Sequence, residues 1–433
     1  MSIRSILGSF HLKNFPKKQD KRTMVMASAE RGKPTDFPGK KIVWVTFLIL
    51  DTHLHKTSQL EILRHLAKRC HSANLIAVRS KNVFQIGNSQ VRIISIPLRY
   101  VPMISNFMFG VIIFFFLPFY IIVSKPDFII TQPTVPILSF ISTIPFCKSK
   151  RAKFILDVRT VPVETVGFRG FLETFLFATR VLIARKLFDG MTIITSQMKE
   201  EVCRRFHLDP KLLGVWSSGV STSLFKPENC VSASSELRGK LGLSKKFVVF
   251  YHGALLGNRG LIETIEAMLI VRRAYPDVVL FLLGRGPMVP GLKELVQKEG
   301  LQNNVIIHDP VDYSEVPKHV AMGDVGIVPL PDLSYWRFQC PLKLLEYLAM
   351  KKVVIVTDIP AHRVIIGKEK CGIYISSVKP IEIAKSITYA YHNKEKLGEW
   401  GKIGRTIIKQ KYTWEKVARD LENYLLSIDE KVD

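Results

Sequence analysis

Short apolar runs of strand length alternate with stretches of helix length through most of this chain, and this alternation limits the possible folds more than any other feature. The first series of apolar runs extends from Lys41 to Thr195, and the second extends from Phe247 to Val356. Strands that alternate with helices in this way are typical of a parallel sheet covered by helices on both faces. The sequence therefore predicts an α/β fold with two doubly wound parallel sheets.

The length of 433 residues, of which 47% are hydrophobic, is enough for two domains that each bury a core, and it argues against a disordered chain. The polar segment Val220–Ser235 separates the two series of apolar runs, and helical patterns continue beyond Ile381. We therefore divide the chain into a basic flexible tail, a first domain, a second domain and a C-terminal helix, at residues 1–38, 39–224, 225–405 and 406–433.

The chain carries 62 Lys and Arg residues against 37 Asp and Glu residues, which gives a net charge of +25. Such an excess favours an acidic partner, and we expect an anionic membrane surface or a phosphorylated substrate. The basic residues are spread along the chain without a zinc-finger, RNA-recognition or basic-zipper pattern, so we expect no nucleic-acid partner. The six cysteines form no C-x-x-C pair, which argues against a zinc site and fits a reducing compartment such as the cytoplasm.

No charged residue occurs in the segment 100–124, which is long enough to be a transmembrane candidate. The strands predicted on either side of it, Val91–Ile96 and Phe128–Thr131, should belong to one sheet, and a single crossing would separate them. Two other interpretations stay open: a crossover helix buried in the first domain, and a monotopic segment whose aromatic side lies in the membrane interface. Basic residues that suit anionic headgroups flank the segment: Arg92, Arg99 and Lys125.

The strongest chemical signal is the helix start Pro341-Leu-Lys-Leu-Leu-Glu346. Proline suits the first turn of a helix, and a helix N-terminus attracts phosphate through its unpaired N–H groups. Lys343 in that turn opposes the helix dipole, which an anionic ligand would explain. Glu346 lies on the same face and could accept hydrogen bonds from a ribose diol, or it could form a salt bridge with Lys343.

Two glycine turns follow predicted strands of the second domain. In the first, Tyr251–Gly260, Gly253 permits close backbone approach, and Arg259 just before a helix is suited to a diphosphate. The second turn contains Gly284, in the sequence Leu282-Leu-Gly-Arg-Gly-Pro287. Each turn alone is a weak signal.

In the first domain, polar residues follow the predicted strand that ends near Asp157. Because carboxyl ends of parallel strands face the ligand crevice, Asp157, Arg159 and Glu164 are candidates for acceptor binding or proton acceptance. A structural salt bridge between Asp157 and Arg159 is the alternative. His53 and His55 lie in the first strand-to-helix loop and are further candidates on the acceptor side.

Together, the order and spacing of these motifs resemble the donor-binding domain of glycosyltransferase family four. This family has the GT-B fold, in which two Rossmann-like domains face a central cleft. The resemblance implies retaining transfer of a sugar from a nucleotide-sugar, without a metal or other cofactor, and we expect a lipid-linked or membrane-proximal acceptor. Arg259 and Lys343 would stabilise the leaving diphosphate. They join Asp157 and Arg159 as candidate catalytic residues. Further residues would bind the donor: Gly253, Asn258, Gly284, Pro341, Leu342 and Glu346.

The chain departs from the family pattern at one position. The family often has a glutamate eight residues before the helix glutamate, contacting the donor sugar, and Phe338 stands there in this chain. This departure keeps two alternatives open: a non-catalytic scaffold that binds a nucleotide-sugar, and a nucleotide-sugar epimerase of the same fold. Our interpretation remains a glycosyltransferase attached peripherally to the cytoplasmic side of a membrane.

Overall fold

The computed structural model falls into two compact units, which we call the first and second domains. The structure describes residues 37, 39–49, 56–78, 91–99, 101, 104–136, 138–143, 145–146, 149, 152–162 and 167–429. The predicted tail at residues 1–38 therefore lies outside the described residues except for Phe37.

The first domain comprises Met1–Trp216 and Ala418–Asp433. Its centre is a seven-stranded sheet in the order β3-β2-β1-β4-β5-β6-β7, and every neighbouring pair is parallel. The inner strands are apolar and almost completely buried, as strands covered by helices on both faces must be. The strands are β1 (Lys41–Ile49), β2 (Ser72–Val78), β3 (Val91–Ile96), β4 (Phe128–Thr131), β5 (Lys153–Val158), β6 (Gly190–Ile193) and β7 (Leu213–Val215).

Helices connect these strands, and one of them is the uncharged segment. The helices are α1 (Lys56–Leu66), α2 (Ile104–Ser124), α3 (Leu138–Ile141), α4 (Gly167–Leu187) and α5 (Ser196–Phe206). Among the described residues, α2 is the one helix long and apolar enough to cross a membrane. It connects β3 to β4 within one sheet and buries Phe109, Ile113 and Leu117, while its other side is exposed. Neither a membrane-spanning helix nor a fully buried crossover helix therefore describes it.

The second domain comprises Ser217–Val417 and has a six-stranded parallel sheet in the order β10-β9-β8-β11-β12-β13. The strands are β8 (Phe247–Ala254), β9 (Val278–Arg285), β10 (Val305–His308), β11 (Val325–Val328), β12 (Val353–Thr357) and β13 (Gly372–Ile375). The helices are α6 (Val231–Lys240), α7 (Leu261–Ala274), α8 (Val289–Lys298), α9 (Val316–Met322), α10 (Leu342–Ala349), α11 (Pro360–Ile366), α12 (Pro380–His392) and α13 (Leu397–Lys411).

Both domain boundaries differ from the predicted ones at 224/225 and 405/406. The segment after Trp216 belongs to the second domain, because Val220 forms a β-bridge with Thr413 and the carbonyl of Phe225 accepts a hydrogen bond from Arg405. Helix α13, which carries Arg405, belongs to the second domain for the same reason.

The last helix, α14 (Trp414–Asp429), returns the chain to the first domain. Glu422 forms an ion pair with Arg69, and the Tyr424 hydroxyl accepts a hydrogen bond from the backbone N–H of Met191. The Tyr424 ring covers Gly214, where a side chain would collide with it. The helix thereby completes the core of the first domain beside β6 and β7.

Candidate functional site

Two glycines bring the carboxyl ends of β8 and β9 into close contact in the second domain. Gly253 and Gly284 are opposite each other in the strand register, with φ angles of +118° and +155°. A Cβ atom at Gly284 would collide with the carbonyl oxygen of Gly253, and one at Gly253 would lie 3.2 Å from the Lys343 ammonium. Glycine is therefore needed at both positions, and its absence of a side chain lets Lys343 lie over the strand end.

Helix α10 positions Lys343 at this strand end. The helix begins at Leu342, so Pro341 occupies the capping position with extended backbone and not, as predicted, the first turn. The Lys343 Nζ lies 3.6 Å from the ring centroid of Tyr251, which is a cation–π contact. Burial and then the nearby positive charge of Arg259 hold the pKa of Lys343 well below its usual value, although Glu346 acts in the opposite direction.

Arg259 lies in the short 3₁₀ turn Gly257–Arg259, which leads into α7. Its guanidinium carbon is 4.1 Å from the ring centroid of Trp336, and burial lowers its pKa. The Trp336 indole N–H donates to the carbonyl of Asn258, and the Asn258 amide donates to the Tyr335 hydroxyl. These contacts fix the loop that carries Arg259, yet the buried Nε of Arg259 and the Oδ1 of Asn258 have no hydrogen-bond partner among the described residues.

Lys343 and Arg259 thus lie close enough for the positive charge of Arg259 to disfavour the charged form of Lys343. Among the residues that the structure describes, neither forms an ion pair with a carboxylate. Protein interiors rarely hold positive charges together without a compensating anion. The arrangement therefore has the electrostatics of an anion-binding site.

Glu346 lies on the same helix, buried, with both carboxylate oxygens engaged. Its Oε2 is 2.7 Å from the Nε2 of His252, and its Oε1 accepts a 2.8 Å hydrogen bond from the Tyr313 hydroxyl. The alternative predicted from the sequence, a salt bridge to Lys343, does not form within this described part of the chain.

The Tyr347 hydroxyl contacts both the backbone and the ring of His252. The Tyr347 hydroxyl accepts a 2.9 Å hydrogen bond from the backbone N–H of His252 and lies 3.0 Å from its Nδ1. The hydroxyl can therefore donate its own hydrogen to Nδ1, which leaves Nε2–H to donate to the Glu346 carboxylate. Glu346 is held in one orientation by this chain of hydrogen bonds.

The sequence analysis did not single out His252, Tyr347, Tyr313 or Trp336. The position of His252, directly before Gly253 at a strand end, is a local signal that could have identified it. Tyr313 has no such signal, because it is far from Glu346 in sequence and only the fold brings the two together.

Asp157, predicted as a catalytic or acceptor-binding residue, lies in a buried hydrogen-bond network of the first domain. It is completely buried, and its Oδ1 accepts hydrogen bonds from Thr192 Oγ1 at 2.8 Å and from the Trp216 indole N–H at 3.0 Å. Its Oδ2 accepts from the Gln132 amide at 3.2 Å. Burial raises the pKa of Asp157, partly offset by Arg159 and these donors. A carboxylate so enclosed has no surface to offer an acceptor.

Arg159 is half-buried beside this network. Its guanidinium carbon lies 3.5 Å from the ring centroid of Trp216, and its Nη1 donates to the Trp216 carbonyl at 2.7 Å. The remaining acceptor-side candidates, His53, His55 and Glu164, lie outside the described residues. The donor-side candidates Gly253, Asn258, Arg259, Gly284, Leu342, Lys343 and Glu346 all surround the carboxyl ends of β8 and β9 or the start of α10.

Comparison with known proteins connects this site to a family. Residues 234–407 match the family model described as glycosyl transferases group 1. An alpha-D-kanosaminyltransferase of Streptomyces kanamyceticus is 22% identical over 46% of this chain and 50% of its own length. A GDP-mannose-dependent phosphatidylinositol monomannoside mannosyltransferase of Mycobacterium tuberculosis is 22% identical over 57% of this chain and 65% of its own. The alignments thus span only about half to two thirds of these relatives.

Solved structures resemble the fold over nearly the whole chain. HepE of Anabaena, in complex with UDP, superposes with a TM-score of 0.70 over 89% of this chain and 100% of that one, at 14% identity. Sucrose-phosphate synthase of Thermosynechococcus elongatus gives 0.72 over 90% and 100%, at 16% identity. These likenesses confirm the predicted two-domain, Rossmann-like GT-B fold. The stretch that matches the group 1 glycosyl transferase model, residues 234–407, contains the whole cluster around Lys343.

Proposed function

We propose that this protein is a glycosyltransferase that moves a sugar from a nucleoside diphosphate sugar to a hydroxyl acceptor, with retention at the anomeric carbon. The observation that carries the proposal is the pair of partly desolvated cations, Lys343 and Arg259, at the ends of β8 and β9. A diphosphate is the anion that suits them, because its two charged groups can engage both cations at once.

The donor diphosphate would lie between Lys343, Arg259 and the strand end at Gly253. Its negative charge would offset the burial and the Arg259 charge that together lower the pKa of Lys343, and its oxygens could accept a hydrogen bond from the Nε of Arg259. The N-terminus of α10 adds backbone N–H groups and a favourable dipole. UDP in the crystal structure of HepE is consistent with a nucleotide ligand for this fold.

Glu346 would bind the ribose of the donor. A carboxylate can accept hydrogen bonds from two neighbouring hydroxyls, and the His252 contact keeps Glu346 oriented for this. The hydrogen bond from Tyr313 occupies Oε1, so a ribose hydroxyl would share or replace it.

In the reaction, the bond between the anomeric carbon and the diphosphate oxygen breaks, and a bond to the acceptor oxygen forms. The acceptor hydroxyl loses its proton to the released diphosphate or to solvent. Negative charge grows on the diphosphate in the transition state, so Lys343 and Arg259 would lower the barrier as fixed cations. We propose that they do so without a metal ion.

We further propose that the acceptor is lipid-linked or close to a membrane. The net charge of +25 and the exposed apolar side of α2 support this, and one relative acts, by its name, on a phosphatidylinositol mannoside.

A donor screen tests the proposal. The full chain is titrated with UDP-, GDP- and ADP-sugars, with and without EDTA, and the melting temperature is recorded. A ligand at 100 times its Kd should stabilise the protein by about 2.7 kcal/mol. One nucleotide-sugar should raise the melting temperature with EDTA present, and Lys343→Ala should abolish the effect, whereas Lys298→Ala, at an exposed lysine of α8, should not.

Reaction products then separate the proposal from its rivals. Addition of lipid-linked or glycan acceptors should give a glycosylated product that keeps the donor's anomeric configuration. Binding without any transfer would favour a scaffold, and conversion of the donor without acceptor would favour an epimerase. No binding by any donor to folded protein would refute the proposal.

A further inference from the structure

Helix α2 of the first domain is apolar on two opposite sides, of which only one is covered. Residues at every fourth position, from Phe109 to Ile121, are buried against the domain. This spacing marks one side of a helix. On the opposite side, Phe115 and Phe119 are 72% and 65% exposed. The full set of exposed apolar residues is Ile104, Phe107, Met108, Phe115, Phe119, Ile122 and Val123.

The same surface continues onto α3 and α4. The crossings from β3 to β4, from β4 to β5 and from β5 to β6 all run in one direction along the sheet. Because such crossovers are right-handed, α2, α3 and α4 lie on the same face of the sheet. Phe168, at the start of α4, is 82% exposed. We call the exposed residues of α2, together with Ile141, Phe168, Phe171, Leu172 and Phe175, the apolar face.

Basic residues border the apolar face. Helix α2 contains no charged side chain, but exposed Arg99 and Lys125 flank its two ends, and exposed Arg185 and Lys186 end α4. An apolar surface with aromatic side chains and a basic border matches an anionic bilayer, where rings enter the interface and Lys or Arg contact the headgroups. A soluble protein leaves large apolar patches exposed only where something binds them.

We propose that the apolar face docks onto an anionic phospholipid membrane, with α2 lying along the interface and not crossing it. A second copy of the chain is the less suitable occupant, because it would bring the same net charge of +25 against this one. The docking needs neither donor nor acceptor, so it stands independently of the proposed function.

Vesicle flotation tests the docking. The full chain is mixed with vesicles of phosphatidylcholine, with or without 30% phosphatidylglycerol as the probe, and the floating fraction is measured. The protein should float with the anionic vesicles, and less with the neutral ones. The double variant Phe115→Glu with Phe119→Glu, on α2, should weaken vesicle binding at least tenfold. The double variant Phe168→Glu with Phe171→Glu, on the separate helix α4, should also weaken it. The high exposure of these residues means that folding, checked by circular dichroism, should be preserved.

A matched valine pair supplies the control. Val123→Glu, on the apolar face and 65% exposed, should reduce flotation, whereas Val231→Glu, in the second domain and 68% exposed, should not. No flotation of the wild-type protein, or equal flotation of all variants, would overturn the inference. Sedimentation tests the other occupant. If the wild-type protein is a dimer, the double variant Phe115→Glu with Phe119→Glu is a monomer, and neither protein binds vesicles, the apolar face binds a second copy of the chain. Nucleotide binding measured on the same samples shows separately whether the proposed function holds.

Discussion

The two domains share one architecture, but the polar groups at their strand ends differ in whether hydrogen bonds or ion pairs offset their charge. In the first domain, Asp157 accepts hydrogen bonds from three side chains, so its charge is offset inside the domain. In the second, Lys343 and Arg259 are partly desolvated without an ion-pair partner among the described residues. A satisfied polar network specifies a fold, whereas uncompensated buried charges suit an anionic ligand. The comparison therefore supports the proposal that the second cluster, and not the first, binds the donor.

The largest expected effect is on the stability of the first domain. Asp157→Ala removes the acceptor of three buried donors, each of which costs about 1–3 kcal/mol when left unpaired, so we expect a loss on the order of 4 kcal/mol. Urea unfolding measures it. Glu201→Ala, which breaks a surface ion pair with Arg204, should cost roughly 0.5 kcal/mol. Nucleotide affinity of the folded Asp157→Ala protein should be unchanged. A stable variant that binds donor but transfers no sugar would instead make Asp157 catalytic.

Acid should destabilise the second domain through a buried histidine. His362 donates from Nδ1 to the carbonyl of Thr357, and its Nε2 has no hydrogen-bond partner in the part of the chain that the structure describes. Burial lowers its pKa to about 4. Above pH 6.5 the histidine is neutral in both the folded and the unfolded chain. As the pH falls from 6.5 towards 4, the unfolded chain binds the proton first, so stability decreases, by about 3 kcal/mol near pH 4.

His319 should add to this loss, because burial and then His308 lower its pKa to about 4 as well. Calorimetry of the wild-type protein and of His362→Gln between pH 7 and pH 4 measures the effect. The glutamine variant should show a shallower decrease in this range. An identical pH profile for both proteins would show that His362 is not the group that titrates.

Removal of the lysine charge should weaken nucleotide binding without lowering stability. Lys343→Met keeps the length of the side chain but loses its charge, and a hydrogen bond to a charged group contributes about 2 kcal/mol, so UDP affinity should fall roughly thirtyfold. The unfolding free energy should stay constant or rise, because a desolvated cation is removed. Calorimetric titration and urea unfolding give both numbers. If Lys343→Met is destabilised and still binds UDP normally, Lys343 stabilises the fold and does not bind the nucleotide.

The sequence was sufficient for the repeated strand–helix pattern, because fully buried parallel strands such as Phe128–Thr131 and Val325–Val328 are continuous apolar runs. Lys343, Arg259 and Glu346 could be named as candidates because glycine turns and a helix start mark strand ends locally. The buried hydrogen-bond network around Asp157 was not predictable, since its partner Trp216 is distant in sequence. The sequence also could not show which side of α2 is exposed, because both sides are apolar and the residue pattern does not distinguish them.

The smallest expected effect is a gain in nucleotide affinity, and it concerns Tyr313. Its hydroxyl donates to Oε1 of Glu346, one of the two oxygens that a ribose diol would need. If the donor replaces this hydrogen bond, Tyr313→Phe should raise nucleotide affinity about fivefold, since a net hydrogen bond contributes about 1 kcal/mol. UDP titration measures the change.

Two controls make this result decisive. Tyr347→Phe removes the hydroxyl that orients His252 and should lower affinity, because Glu346 then loses its fixed position. UDP with a deoxyribose, which lacks one hydroxyl of the diol, should gain less from Tyr313→Phe than UDP itself. If Tyr313→Phe lowers affinity for both nucleotides equally, Tyr313 positions Glu346 as His252 does. The second domain would then hold a preformed ribose site beside its uncompensated cations, and only the cations would depend on the ligand.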